Sequence, residues 1–203
     1  YLPAISCTEL IHIITYEQKK KGITFQAVAK EYMNFMKGEE REKSYKLYKI
    51  ASERLVKYMK NLRHEEYWLF RKKSNIITKA VTLFYRSRRQ AIEGKIGVFV
   101  PPGTVGYGLW ILHSGNIIVN ERAKIGNNCV FAGMNCIGVD SILGDYARFP
   151  QIGNGVFLGI GASVIGAGKI PDNSIVAAGA VVVNEYKNSC LLAGVPAKLI
   201  KEL

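Results

Sequence analysis

Histidine and cysteine are scarce in this chain, three and four residues among 203. The cysteines, Cys7, Cys129, Cys136 and Cys190, are neither paired in spacing nor dense. That excludes a disulfide scaffold and reads as free thiols in a cytoplasmic protein. Three dispersed histidines without a Cys-x-x-Cys give no basis for a structural or catalytic metal. Long apolar runs are missing too. The best, residues 174–183, falls short of the roughly 18 residues of a spanning helix and contains glycine. The first residues do not order a charged, an apolar and a small-residue cleavage segment, so no leader is read there. Acidic residues are few, 16 Asp+Glu against 28 Lys+Arg, a net charge of +12. Even so, 48% hydrophobic and 22% charged residues are ordinary globular values, which excludes wholesale disorder and collagen-like composition.

The charge and the glycine divide the chain in two. Residues 1–95 hold 21 of the 28 basic and 10 of the 16 acidic residues, net +11, and only 3 of the 20 glycines. Residues 96–203 carry 7 basic and 6 acidic residues, net +1, and 17 glycines. The first part reads as a helical domain. Thr8 and Glu9 precede Leu10, Ile11, Ile13 and Ile14, and Gly22 follows three lysines, which marks a capped helix with a basic end. A second segment runs over 24–36 and stops near Gly38. From Glu39 to Leu62 apolar residues recur three, four or seven apart, and another helix is predicted over 76–91. The basic stretches 71–73 and 86–89 read as solvated faces of packed helices rather than a nucleic-acid patch.

The second part repeats every six residues. Val119, Ile125, Phe131 and Ile137 are evenly spaced, as are Ile152, Leu158, Val164, Ile170, Val176 and Val182. The position two before is usually small: Ala123, Cys129, Ala162, Gly168, Ser174, Ala180. Six is a multiple of two, so the aliphatic returns to one face of an extended strand while the small neighbour permits a tight corner. A stack of such turns is a parallel β-helix with an inner aliphatic ladder. The phase breaks twice. One step, from Ile111 to Val119, is eight and contains His113; the other, from Ile137 to Ile152, is fifteen, and a projecting loop is expected near 139–151.

These repeats, ending in Ala193-Gly194-Val195-Pro196-Ala197-Lys198, resemble the hexapeptide acyltransferases, whose solenoid is a left-handed β-helix. The segment Leu112-His113-Ser114-Gly115-Asn116-Ile117-Ile118-Val119 is similar to the active-site strand of the serine acetyltransferase group, and Pro101-Pro102 before the first hexapeptide resembles its capsule and lipopolysaccharide O-acetyltransferases. The fold class implied is α+β, a helical domain over 1–95 followed by a left-handed β-helix over 96–203.

The resemblance implies transfer of an acetyl group from acetyl-CoA to a hydroxyl in a homotrimer, or a dimer of trimers, with active sites between neighbouring subunits. An alcohol attacks a thioester only with a general base to take its proton, and neutral imidazole suits that near pH 7. The matching histidine is His113, since His12 and His64 fall in the charged helices. The pantetheine arm would follow the small-residue corners at Gly159, Gly161, Ala162, Ala178, Gly179 and Ala180, with Lys198 near the CoA phosphates. These corners also have a purely structural reading. Three residues that the group ties to free serine are absent. Val98 stands for an aspartate fifteen residues before the histidine, Leu112 for one directly before it, and Phe149 for a histidine after Arg148. The sequence therefore favours a sugar hydroxyl in cell-surface polysaccharide synthesis, with serine as the alternative. Arg148 either recognises a carboxylate or phosphate on the acceptor or is a solvated loop arginine. A non-catalytic scaffold is the reading of another class. The basic half then raises contact with an anionic membrane, with no nucleic acid expected. Gly166-Ala-Gly168-Lys169 and Gly159-x-Gly161 lack the spacing of phosphate and dinucleotide loops.

Overall fold

A computed structural model describes residues 42–71, 75–113, 115–140 and 148–203. The helices expected over 8–22 and 24–36, with Cys7 and His12, and most of the expected projecting loop lie outside the described residues. Contacts divide the chain into two compact units, the second running from Arg54 to Leu203.

Among the described residues two helices come first, α1 (Glu42–Leu69) and α2 (Ile76–Ile96). α1 continues seven residues past the predicted end at Leu62, because a core-facing place in its last two turns is taken by Glu65 rather than by an apolar residue. Glu65 is fully buried and accepts from Arg86 Nε at 2.9 Å and Arg89 Nε at 2.7 Å, both on α2. α2 starts at a capping box. Asn75 accepts from the backbone of Thr78, and the Thr78 hydroxyl accepts from the backbone of Asn75. It runs past the predicted end at Ala91, tolerating Gly94, and stops where Gly97 donates to the Glu93 carbonyl at 2.8 Å.

Among the described residues fourteen short strands follow: β1 (Val98–Phe99), β2 (Trp110–Ile111), β3 (Ile117–Val119), β4 (Lys124–Ile125), β5 (Val130–Phe131), β6 (Cys136–Gly138) and β7 (Gln151–Ile152). Then come β8 (Phe157–Leu158), β9 (Ser163–Ile165), β10 (Lys169–Ile170), β11 (Ile175–Val176), β12 (Val181–Val182), β13 (Cys190–Ala193) and β14 (Lys198–Glu202). They form three sheets, β1-β3-β6-β9-β12, β4-β7-β10 and β2-β5-β8-β11-β13-β14. Pairing is parallel except between β13 and the terminal β14. Successive strands visit the three sheets in turn. Leu158 pairs with Val176, Val164 with Val182 and Ile152 with Ile170, each 18 residues on, so one coil is three hexapeptides. This is a parallel β-helix. All ten in-phase aliphatics are buried, and so are the small residues at Ala123, Cys129, Ala162, Ser174 and Ala180. Each rung removes apolar area from water at about 25 cal/mol per Å², which is what fixes the phase.

The breaks are insertions into this coil. Val105 and Ile125 form a bridge, and Ile111 pairs with Phe131, each 20 residues apart, so the first complete coil has two extra residues. Ile137 pairs with Val164, 27 apart, an excess of nine after β6. Tyr58 of α1 ties the helices to the coil. It is fully buried, its hydroxyl accepting from Val100 N at 2.9 Å and lying 3.3 Å from Val100 O.

Candidate active site

The two extra residues of the first coil fall between β2 and β3 and enlarge a corner that carries Leu112, His113, Gly115 and Asn116. His113 is exposed there, while the Leu112 N–H is held by Phe131 O at 3.0 Å. The corner beneath is residues 132–135. Gly133, at φ +124, leaves room for the enlarged turn. A Cβ on it would lie 3.3 Å from His113 O and 3.4 Å from His113 Cβ, with a backbone angle that L side chains rarely adopt. Beside it Met134 is 62% exposed at φ 54, a left-handed conformation unusual for its type.

Further corners stack on the same edge. Gly161 N donates to Gly133 O at 2.9 Å, Gly179 N to Ile160 O at 2.8 Å and Val181 N to Gly194 O at 3.0 Å. Gly159, Gly161 and Ala162 therefore lie two coils below His113, and Ala178, Gly179 and Ala180 three coils below, roughly 14 Å away at the usual strand spacing. Lys198 follows the Gly194–Ala197 turn at the end of this stack and is exposed on β14. The edge thus collects His113, the six corner residues and Lys198. Close approach dictates Gly159 in any case, since a Cβ there would meet Ala178 N at 2.5 Å.

Arg148 is not on this edge. It is exposed directly before β7, where the nine-residue excess ends, at the corner between the first and second sheets. Next to it Lys124 Nζ lies 5.5 Å from the centroid of the Phe149 ring. Nor does the sequence's Val98 reach solvent. It is 1% exposed, inside the coil, on the strand that pairs with Ile117. A groove of 420 Å³ on the second sheet, lined by Lys124, Gln151, Lys169 and Glu185 among others, contains none of the predicted site residues.

Asn135 is the site residue that the sequence reading missed. It is buried, accepts from Gly133 N at 3.0 Å and donates through Nδ2 to Gly159 O at 2.8 Å and Ala162 O at 3.1 Å. One amide thereby fixes the corner under His113 to the corner below. The signal was present, for Asn135 stands two before Ile137, in the slot usually filled by Ala, Cys, Ser or Gly. Among the described residues no group of three or more His, Cys, Asp or Glu is placed to hold a metal. An exposed imidazole beside a column of backbone amides and glycine corners is equipped to move a proton at an acyl group laid along the edge.

No protein-family model matches the chain. It is similar to the serine acetyltransferase of Mycobacterium tuberculosis, 30% identical over 135 residues that cover 66% of this chain and 56% of the relative. The serine acetyltransferase of Synechococcus elongatus is 28% identical over 136 residues, 66% of this chain and 52% of the relative. The chain spans little more than half the length of these curated relatives. Among solved structures, the Neisseria gonorrhoeae serine acetyltransferase superposes with a TM-score of 0.56 at 28% identity, over 71% of this chain and 54% of that one. A serine acetyltransferase in complex with CoA covers 98% of this chain and 78% of that one, with a TM-score of 0.58 at 19% identity. The last likeness is one of fold.

Proposed function

We propose that this chain is an acetyl-CoA-dependent O-acetyltransferase in which His113 is the general base. The observation that carries the reading is the enlarged corner. It presents the single exposed imidazole of the β-helix at the head of a stack of glycine and alanine corners. In the step proposed, imidazole takes the hydroxyl proton as the acceptor oxygen attacks the thioester carbonyl. The tetrahedral oxyanion is met by backbone N–H donors, the C–S bond breaks, and the proton passes from His113 to the departing thiolate. The products are an O-acetyl ester and free CoA thiol. The pantetheine arm runs down the edge past Gly159, Gly161 and Ala162 to Ala178, Gly179 and Ala180, with Lys198 against the CoA phosphates. The relatives named serine acetyltransferase, and the CoA-bound structure of that fold, support this reading.

The acceptor favoured by those names is free serine, which displaces the sugar hydroxyl as the leading choice. The sugar of a cell-surface polysaccharide remains the second reading on one specific observation. The place of the aspartate that would meet the amino acid holds Leu112, half-buried over Phe131, and the place of the aspartate that would orient the histidine holds Val98, sealed inside the coil. An ammonium group has no partner from either place. Thiol released from acetyl-CoA, measured with serine and then with nucleotide sugars or oligosaccharide repeats, decides between them. Turnover with serine at ordinary metabolic rates establishes the first reading; turnover only with a glycan establishes the second. No release with either class overturns both. Arg148 is proposed as an acceptor contact supplied by a neighbouring subunit of a trimer.

A further inference from the structure

α2 is built the opposite way round from an ordinary surface helix. Its buried face includes Thr78, Thr82 and Arg89, with Ile92 and Ile96 only at the C-terminal end. The face turned to solvent carries Ile76 at 83% exposure, Ile77 at 65%, Leu83 at 59% and Phe84 at 54%. At 3.6 residues per turn, Ile76, Ala80, Leu83, Phe84 and Ala91 fall on one stripe together with Ser87 and Gly94. Lys79 and Gln90 flank it on one side, Arg88 and Lys95 on the other. Tyr67 and Phe70, at the adjoining end of α1, are also more than half exposed, and Arg71 lies 5.0 Å from the Trp68 ring.

The sign of the surrounding charge says what this face fits. Residues 54–96 contain twelve Lys+Arg and three Asp+Glu. All three acids are turned inward. Glu65 holds Arg86 and Arg89, Glu66 holds Arg63, and Glu93 holds Arg89. The net charge of the segment is thus +9, 12 − 3. An apolar stripe with basic flanks and no acid matches the boundary of an anionic bilayer, where the apolar side chains enter the acyl region and the cations meet headgroup phosphates. A second copy fits it poorly, since a two-fold contact would set Lys79, Arg88 and Lys95 against the same three cations. We propose that α2 docks this chain on an anionic membrane surface. This stands apart from the acetyl-transfer reading and is tested without it.

The full chain is sedimented with phosphatidylcholine vesicles, with and without phosphatidylglycerol, at low and high salt. Binding is expected to the phosphatidylglycerol vesicles and to weaken in high salt. Lys79→Ala/Arg88→Ala should lower the affinity roughly 30-fold, and Leu83→Ser/Phe84→Ser at least about 10-fold. Both pairs are solvent-exposed, and unchanged circular dichroism verifies the fold. Equal binding to the two vesicle types, or full retention by both double variants, overturns the proposal. So does a concentration-dependent doubling of mass that Leu83→Ser/Phe84→Ser abolishes without any vesicle binding, which gives the face to a second copy. RNA capture without vesicle binding likewise overturns it.

Discussion

His113 and Asn135 divide one task. His113 is exposed and touches the reacting atoms in the proposed step, whereas Asn135 is buried and acts through the backbone it holds. Their substitutions should therefore fail differently. His113→Ala removes the base and is expected to lower kcat by about 10²–10⁴-fold at unchanged stability, read by thiol release and by urea unfolding. A variant within a few-fold of the parent puts the base elsewhere. Asn135→Ala removes the partner of Gly133 N and one donor each from Gly159 O, which keeps Ala162 N, and Ala162 O, at a cost of about 1–3 kcal/mol. Its urea midpoint should fall, with kcat falling as the His113 corner loses its support. Normal stability in Asn135→Ala would mean that water replaces the amide. His113 was legible because it breaks a strict phase. Asn135 was not, because a polar residue in a corner slot reads as solvated until the coil beneath it is in place.

At the level of elements, the repeat was readable wherever burial enforces it. All ten in-phase aliphatics are inside, since a slip of one residue would turn every one of them outward. The helix ends were less readable, because α1 buries a carboxylate where a pattern expects a hydrophobe. Glu65→Ala takes from buried Arg89 one of its two carboxylate partners, leaving Glu93, and should cost about 1–3 kcal/mol. Glu65→Gln should recover part of that, and near-neutral behaviour of Glu65→Ala in denaturant titration would show that Glu93 alone suffices for Arg89. Two other buried groups set the alkaline limit. Burial pushes the Tyr58 hydroxyl from 10.0 to about 12 and the Cys129 thiol from 9.0 to about 11. Between pH 9 and 12 the folded chain keeps protons that the unfolded chain gives up, so stability is complete below about pH 9 and declines above it. The urea midpoint should drop across that interval, and Cys129→Ala should remove the part of the slope that begins near pH 9. A flat profile to pH 11 would mean that the thiol titrates in place.

The whole molecule poses a problem that its elements leave open. His113 sits on the edge between the third and first sheets, and Arg148 on the edge between the first and second, so one chain does not bring them together. The first sheet separates them, and its outward side chains include exposed Phe99 and Ile118. A trimer that buries parts of this surface between subunits would set the Arg148 edge of one chain beside the His113 edge of the next. The sequence shows which residues are unusual but not whether they meet, because a contact between copies would leave no trace in a single chain's periodicity. Mixing makes the idea measurable. Chains carrying His113→Ala and chains carrying Arg148→Ala, each expected to be impaired alone, are unfolded together, refolded as a mixture and assayed by thiol release. Where a His113→Ala subunit lends its Arg148 to an Arg148→Ala subunit that retains His113, one site is whole again, so the mixture should exceed the mean of the two parents. Activity equal to that mean would place both residues' functions within single chains and remove Arg148 from the acceptor site.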